Sequence, residues 1–572
     1  MAQLCENCVK LLQDFVSLVK RISSSLIQNI KEYLILISEC SCLKRKSSEA
    51  RQLYKPVLQP HEKEMVREFL QHIETGFEMS PFGKDSLEAL RTLAFSENPD
   101  LQQSAALYYL HMSQHLNTQL PAEHLEPYYA LLQSSDMEVQ QMSSLSLVNF
   151  LLEGNINKEL VVQMGLLEPI LELLESGDSA VQCNSCACIM TLAASESNRE
   201  AIGSAGVIPL LALANSYDPR VQQNAVGAIL NLTRSERIQQ VLCREGALPV
   251  LILMLESPDS EVQYYSCAAL SNVAANSQHH EAMLRVGDRF LLRTLISLLS
   301  SSVDKVSRQA CVCLRNLATS VNIQADIVMD ILPKLLSLLA SSNSDVQQAS
   351  IALLWILSQH PATQDALMHG EVLQNLGMLL LTHQTVPGIV GHTACIIKNL
   401  SFCKNVQRII ESPCVEGLLQ AILSTEIQEE SLNYVTCSLA ELAKHEGATL
   451  HLLEWMNGPL IKRLVRLAGQ REHTEASFQA ASIVRHMMCH DKVRSLLKCH
   501  MEEVQRYLMN FLNHQEIRFQ QLGISTLGKL LEDPEFSSAF SQSQLIEHLE
   551  QICQQTEETQ ELLKMVISHK GS

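Results

Sequence analysis

Apolar residues return at helical spacing through most of the chain, interrupted by short polar links, and no stretch alternates apolar and polar residues like a half-buried strand. The helical stretches are themselves periodic. Val139-Gln140, Val181-Gln182, Val221-Gln222, Val262-Gln263 and Val346-Gln347 each open one, and Val306-Ser307 fills the gap before the last. Successive Val residues lie 42, 40, 41, 44 and 40 positions apart. Ten residues after each Val a second position recurs, held by Asn149, Thr191, Asn231, Asn272, Asn316 and Ile356. The frame continues to Asn399, Glu441, His486 and Lys529 downstream and to His111 upstream, which gives about eleven units between residues 80 and 570.

A second marker runs out of phase with the first. Gly165, Gly206, Gly246 and Gly287 are 41, 40 and 41 residues apart, and the first three are followed closely by Pro169, Pro209 and Pro249. Glycine suits a tight link and proline the first turn of a helix. Each unit therefore reads as a short first helix, a second helix and a longer third helix. The third helix expected from Glu261 to Ala275 carries Val262, Cys267, Leu270 and Val273 at 3.6-residue spacing. A single unit of this kind cannot bury its apolar face. Stacked units bury a continuous core and leave a concave groove.

Composition agrees with thin helical layers, since aromatic residues make up only 5%. Of the 18 cysteines, Cys186, Cys188, Cys311 and Cys313 fall within apolar helical stretches and read as buried free thiols, not as a disulfide framework. The net charge of −19 argues against nucleic acid as a partner. That charge is uneven. Residues 1–60 hold nine Lys/Arg and five Asp/Glu, a balance of +4, leaving 34 basic and 57 acidic residues, a balance of −23, in the rest. No run approaches the roughly 20 apolar residues of a membrane-spanning helix.

The units resemble the armadillo family. The resemblance rests on Gly-x-x-Pro-x-Leu and on segments such as Val221-Gln-Gln-Asn-Ala-Val-Gly-Ala-Ile-Leu-Asn-Leu-Thr233, Val262-Gln-Tyr-Tyr-Ser-Cys-Ala-Ala-Leu-Ser-Asn-Val-Ala274 and Cys313-Leu-Arg-Asn-Leu-Ala318. Within that family the wording is most similar to the fungal vacuolar armadillo proteins, most clearly over residues 85–410. The resemblance implies an all-α, right-handed superhelical solenoid of armadillo repeats. It also implies a groove lined by the recurring asparagines, whose amides can bond the backbone of an extended peptide. The expected groove residues are Asn149, Asn231, Asn272, Asn316 and Asn399, with Arg315, Lys398 and Trp355 beside them; the competing reading is that each Asn only ties neighbouring helices together. Leu145, Gly227, Ala268, Val312 and Cys395 stand where importin-α-type proteins carry Trp, which disfavours nuclear import. Arg315, Lys398 and Arg234 are too few for the basic stripe of the catenins.

Ahead of the units, Leu11, Phe15, Leu18, Ile22, Leu26, Ile30, Tyr33 and Ile37 form an apolar stripe, followed by Cys40-Ser-Cys42-Leu-Lys-Arg-Lys46. Cys40 and Cys42 are candidate lipid acceptors beside a basic cluster; a helical cap on the solenoid is the alternative. Met1-Ala2-Gln3 lacks the N-terminal Gly by which the resembling proteins are acylated. Cys5-x-x-Cys8, with no second pair, is weak as a zinc site. Gly523-Ile-Ser-Thr-Leu-Gly528-Lys529 ends in Leu530 where a phosphate-binding loop needs Ser or Thr, and lies in an expected helix. Asn231-Leu-Thr233 and Asn399-Leu-Ser401 match a glycosylation pattern only because a small residue follows the recurring Asn.

These readings predict an N-terminal region over 1–60, armadillo repeats over 61–540 and a capping helix with a short tail over 541–572. The expected function is a non-enzymatic scaffold, without cofactor, metal or small-molecule substrate, that holds extended segments of partner proteins. It is expected in the cytoplasm, peripheral on a vacuolar or lysosomal membrane if the closer resemblance carries over. A soluble signalling or transport binder is the alternative.

Overall fold

The computed structural model describes residues 58–75, 84–287, 289–319, 325–424, 426–541, 544–551 and 556–568, and all of its regular elements are helical. The chain divides between Leu291 and Leu292 into two compact units. The third helices of the first unit are α1 (Pro99–His115), α2 (Met137–Leu152), α3 (Ser179–Leu192), α4 (Pro219–Leu232) and α5 (Ser260–Ala274). Those of the second are α6 (Asp304–Ala318), α7 (Ser344–Ser358), α8 (Pro387–Ser401), α9 (Glu429–Leu442), α10 (Thr474–Met487) and α11 (Ile517–Leu531). Within each unit, successive third helices pack side by side. One full repeat reads Glu196–Ala205, Val207–Leu213 and α4, as the Gly-Pro and Val-Gln markers predict.

The Val-Gln marker has a physical cause. Val139, Val181, Val221, Val262 and Val306 have no exposed surface and anchor the first turn of their helices in the core. The Gln that follows secures the link before that turn. At α3, Ser176 Oγ accepts the backbone N–H of Asp178 (3.3 Å), and Asp178 Oδ1 accepts the N–H groups of Ala180 and Val181 (both 2.9 Å). Gln182 Nε2 then donates back to the Ser176 carbonyl (2.8 Å). The arrangement repeats with Ser134, Asp136 and Gln140, and with Ser216, Asp218 and Gln222. The helix start thus satisfies orphan N–H groups and pins the loop at once.

The Gly marker has two causes. Gly165, Gly246 and Gly287 adopt φ of +79°, +85° and +65°, which a Cβ would strain. Gly206 does not: its φ is −88°, and a Cβ there would come within 2.9 Å of the Ile202 carbonyl oxygen and 3.0 Å of Leu171 Cδ2. At that link the requirement is close approach, not backbone handedness.

All thirteen described cysteines are free. Cys186, Cys188, Cys311 and Cys313 are buried as expected, and burial pushes the Cys311 and Cys313 thiols up to about 12. Helix Glu557–Ser568 packs on α11 beyond the last third helix. The apolar stripe of residues 11–37, the Cys5/Cys8 pair and Cys40/Cys42 lie outside the described residues.

Asp178→Ala removes the carboxylate oxygen that accepts two first-turn N–H groups of α3. The expected loss is about 1 kcal/mol, read as a lower urea midpoint with an unchanged slope.

Candidate functional site

Every recurring position falls on a third helix: His111, Asn149, Thr191, Asn231 and Asn272 on α1 to α5, and Asn316, Ile356, Asn399, Glu441, His486 and Lys529 on α6 to α11. Since third helices pack as neighbours within each unit, these residues form one row per unit. The Gly523–Lys529 segment lies inside α11, so its phosphate-loop likeness is accidental.

Four asparagines of the row are tied to the preceding repeat. Asn149 Nδ2 donates to Ser113 Oγ (3.1 Å), Asn231 Nδ2 to the Met190 carbonyl (2.8 Å), Asn272 Nδ2 to Thr233 Oγ1 (3.0 Å) and Asn399 Nδ2 to Ser358 Oγ (2.9 Å). The hydroxyls pass the bond on. Ser113, Thr233 and Ser358 donate to the carbonyls of Leu110, Leu230 and Trp355. Each relay therefore fixes the C-terminal turn of one third helix to its neighbour. Asn149 departs from the expectation that it lines a groove: it is only 5% exposed and its amide faces Ser113 inside the stack. Asn231, Asn272, Asn316 and Asn399 are half-buried and keep an open side.

Residues just before the row differ between the units. In the first unit they are Leu110, Val148, Met190, Leu230 and Ser271, all uncharged. In the second they are Arg315, Trp355, Lys398, Ala440, Arg485 and Gly528. Arg315 donates to Asn316 Oδ1 (3.2 Å) and Arg485 to Ser525 Oγ (2.8 Å). Arg315, Lys398 and Arg485 take no part in any ion pair among the described residues. Burial alone would lower the Lys398 ammonium, yet the Cys437 and Cys395 thiols and the Glu441 carboxylate outweigh it and hold its pKa above the usual lysine value.

Trp355 is half-buried. Its indole stacks on the His392 ring of α8, with centroids 4.9 Å apart and planes at 28°. Burial lowers the His392 pKa, and the nearby Arg315 cation adds to the effect, so the ring stacks uncharged at neutral pH. Tyr434 of α9, 38% exposed, lies against the glycine-cleared surface of α8, where a Cβ on Gly391 would stand 3.3 Å from its Cδ2. His392, Tyr434 and Arg485 were not singled out by sequence reasoning. Arg485 had a signal, since it precedes the recurring position as Arg315 and Lys398 do. His392 and Tyr434 had only their place seven residues before it. Among the described residues no group of three His, Cys, Asp or Glu side chains could hold a metal ion.

Two outcomes follow from this geometry. Asn272→Ala and Thr233→Val should each destabilise by about 1 kcal/mol, and the double variant should lose less than their sum, a coupling visible in denaturant titration. His111 sits at the recurring position of α1, where burial, then the adjacent His115, lowers its pKa to about 4. The unfolded chain binds this proton more readily, so stability is full above about pH 6.5 and falls as pH drops towards 4. His111→Asn should shrink the fall in Tm between pH 7 and pH 5.

The comparisons with known proteins agree with the repeat frame. A profile of the Armadillo/beta-catenin-like repeat matches residues 154–194, 195–234 and 235–275. Vacuolar protein 8 of Schizosaccharomyces pombe is 33% identical over 498 residues, covering 86% of this chain and 89% of that protein. Vacuolar protein 8 of Komagataella pastoris is 41% identical over 126 residues, 22% of each chain. An engineered protein matches in structure with a TM-score of 0.61 at 23% identity, covering 72% of this chain and 99% of its own. A structure described for the interaction between cadherin and beta-catenin matches with a TM-score of 0.60 at 15% identity, over 82% of this chain and 96% of that one; at such identities both show the fold alone. With the helices, the repeat frame and the near full-length relative in agreement, the chain belongs to the vacuolar protein 8 family of armadillo-repeat proteins.

Proposed function

We propose that the chain is a non-enzymatic scaffold whose third-helix faces hold extended segments of partner proteins. The observation that carries this reading is the row itself: within each unit, neighbouring third helices bring half-buried asparagines to one face, Asn231 and Asn272 in the first and Asn316 and Asn399 in the second. Such a face offers many equivalent contacts along a line and no enclosed catalytic constellation, which suits an extended chain better than a small substrate. A photo-cross-linking residue at Met190 or Lys398 should capture partners from cell extract. The same residue at Ile208 or Leu253, which are 65% and 55% exposed on second helices, should not. Equal or stronger capture from the second-helix positions would refute the face as the binding surface.

The finer reading is an adaptor at a vacuole-type membrane, serving tethering, inheritance or autophagy-related targeting. It is supported by the vacuolar relatives and by the basic Cys40-to-Lys46 segment in the sequence. No described helix is long and apolar enough to cross a membrane, so attachment would be peripheral and through residues 1–60. Fractionation of the full chain against a chain lacking residues 1–60 decides this. The full chain should sediment with membranes and the shortened chain should not. Recovery of both in the supernatant would leave the soluble signalling or transport binder as the reading.

A further inference from the structure

We propose that the basic run Leu43-Lys-Arg-Lys46 docks, within its own chain, in an acidic groove made by the first and second helices of the repeats that end in α3 and α4.

The groove has a volume of about 560 Å³, and no third-helix residue lines it. It is therefore separate from the face that carries the recurring row. One side comes from the second helix ahead of α3, Leu167–Glu172 with the turn Leu173–Glu175. The other comes from the two helices ahead of α4, Glu196–Ala205 and Val207–Leu213. Leu171, Ala201 and Pro209 give it an apolar lining. Met164 and Ile208, next in sequence to the lining residues Gly165 and Pro209, leave 39% and 65% of their surface in solvent. Apolar surface thus remains here for another segment to cover.

Charge selects the occupant. Glu168, Glu172 and Glu175 line the groove from one helical segment, spaced four and three residues apart, and all three are exposed. Like charges at that spacing repel. None of the three joins an ion pair among the described residues; Glu172 accepts the Gln133 amide (3.2 Å). Three cations in a row would relieve the repulsion. Residues 1–60 carry +4 against −23 in the rest, and their densest basic run is Lys44-Arg45-Lys46, with Leu43 beside it for the apolar lining. Glu168 to Glu175 covers about 10 Å of helix axis, the length of about three extended residues. The tether is long enough. The described chain starts at residue 58, just ahead of helix Pro60–Thr75 in the same unit. The groove lies three repeats further on at most, about 30 Å at 10 Å per packed layer, and the eleven residues 47–57 reach about 36 Å when extended. A tethered segment also outcompetes a free one through its high effective concentration. Docked there, the run is withheld from anionic lipid, which competes for the same cations; that consequence, unlike the docking, rests on the membrane reading above.

The test places a photo-cross-linking residue at Leu43 of the full chain and maps the products by mass spectrometry, with light and heavy-isotope copies mixed to separate links within a chain from links between chains. The expected product joins position 43 to residues 162–209 of the same chain, and its yield falls as salt is raised. Glu168→Gln, Glu172→Gln and Glu175→Gln combined should abolish it. Glu153→Gln, Glu236→Gln and Glu256→Gln, an equal change of charge at other exposed positions of the first unit, should leave it intact. Thermal melting checks that each variant is folded. A link to any other part of the chain, a link only to a second copy, or an undiminished yield in the groove variant overturns the proposal. With phosphatidylserine vesicles, the groove variant should sediment at a lower lipid concentration than the wild type, because its basic run is released; equal sedimentation of the two counts against the docking. If neither sediments, the membrane reading fails and the cross-link alone decides the docking.

Discussion

A third helix in this protein has a core only because its neighbour supplies one, so everything rests on keeping adjacent third helices at the same height. Two devices do this from opposite ends. The Ser, Asp and Gln group fixes where α2, α3 and α4 begin, as at Ser176, Asp178 and Gln182. The Asn-to-hydroxyl relay fixes where it ends, as from Asn272 through Thr233 to the Leu230 carbonyl. With both ends held, the links can vary. Spacings between the Val markers run from 40 to 44 residues, yet Asn149, Asn231 and Asn272 all find their partner one repeat back. Registration by hydrogen bonds and burial by Val and Leu are thus separate tasks placed on separate residues. Nearest-neighbour stability of a repeat array depends on that separation.

The helical class, the repeat frame and the positions of the third helices were legible, because a 3.6-residue period nested in a forty-residue period is what a stack of equivalent helical layers writes into a chain. The reasons behind the markers were not. Val-Gln is visible as a pattern, but that Gln182 returns to the Ser176 carbonyl depends on a loop geometry with no periodic signature. Asn231-Leu-Thr233 looked like a chance glycosylation motif. Thr233 in fact receives the amide of Asn272, thirty-nine residues on, a pairing that only stacking creates. Asn149 was misplaced for the same reason: its burial is set by Ser113 in the repeat before, not by its own segment. Of Trp355, the sequence left open whether it was exposed or buried; it is half of each, because its partner His392 comes from the next repeat.

The relay also changes what the asparagines can offer a partner. An amide whose N–H already bonds Ser358, Thr233 or Met190 is no longer a free two-way hydrogen-bonding group. Discrimination must then come from the residue just before the recurring position, whose side chain takes no part in the Asn relay. That residue is the one that varies: Met190, Leu230 and Ser271 in one unit, Arg315, Trp355, Lys398 and Arg485 in the other. Such variation costs little in stability at the half-buried positions, Met190, Arg315, Trp355 and Lys398, whose chemistry can change without moving the backbone. The same frame can therefore carry uncharged residues beside its row in one unit and cationic or aromatic ones in the other, because registration and side-chain chemistry rest on adjacent but different residues.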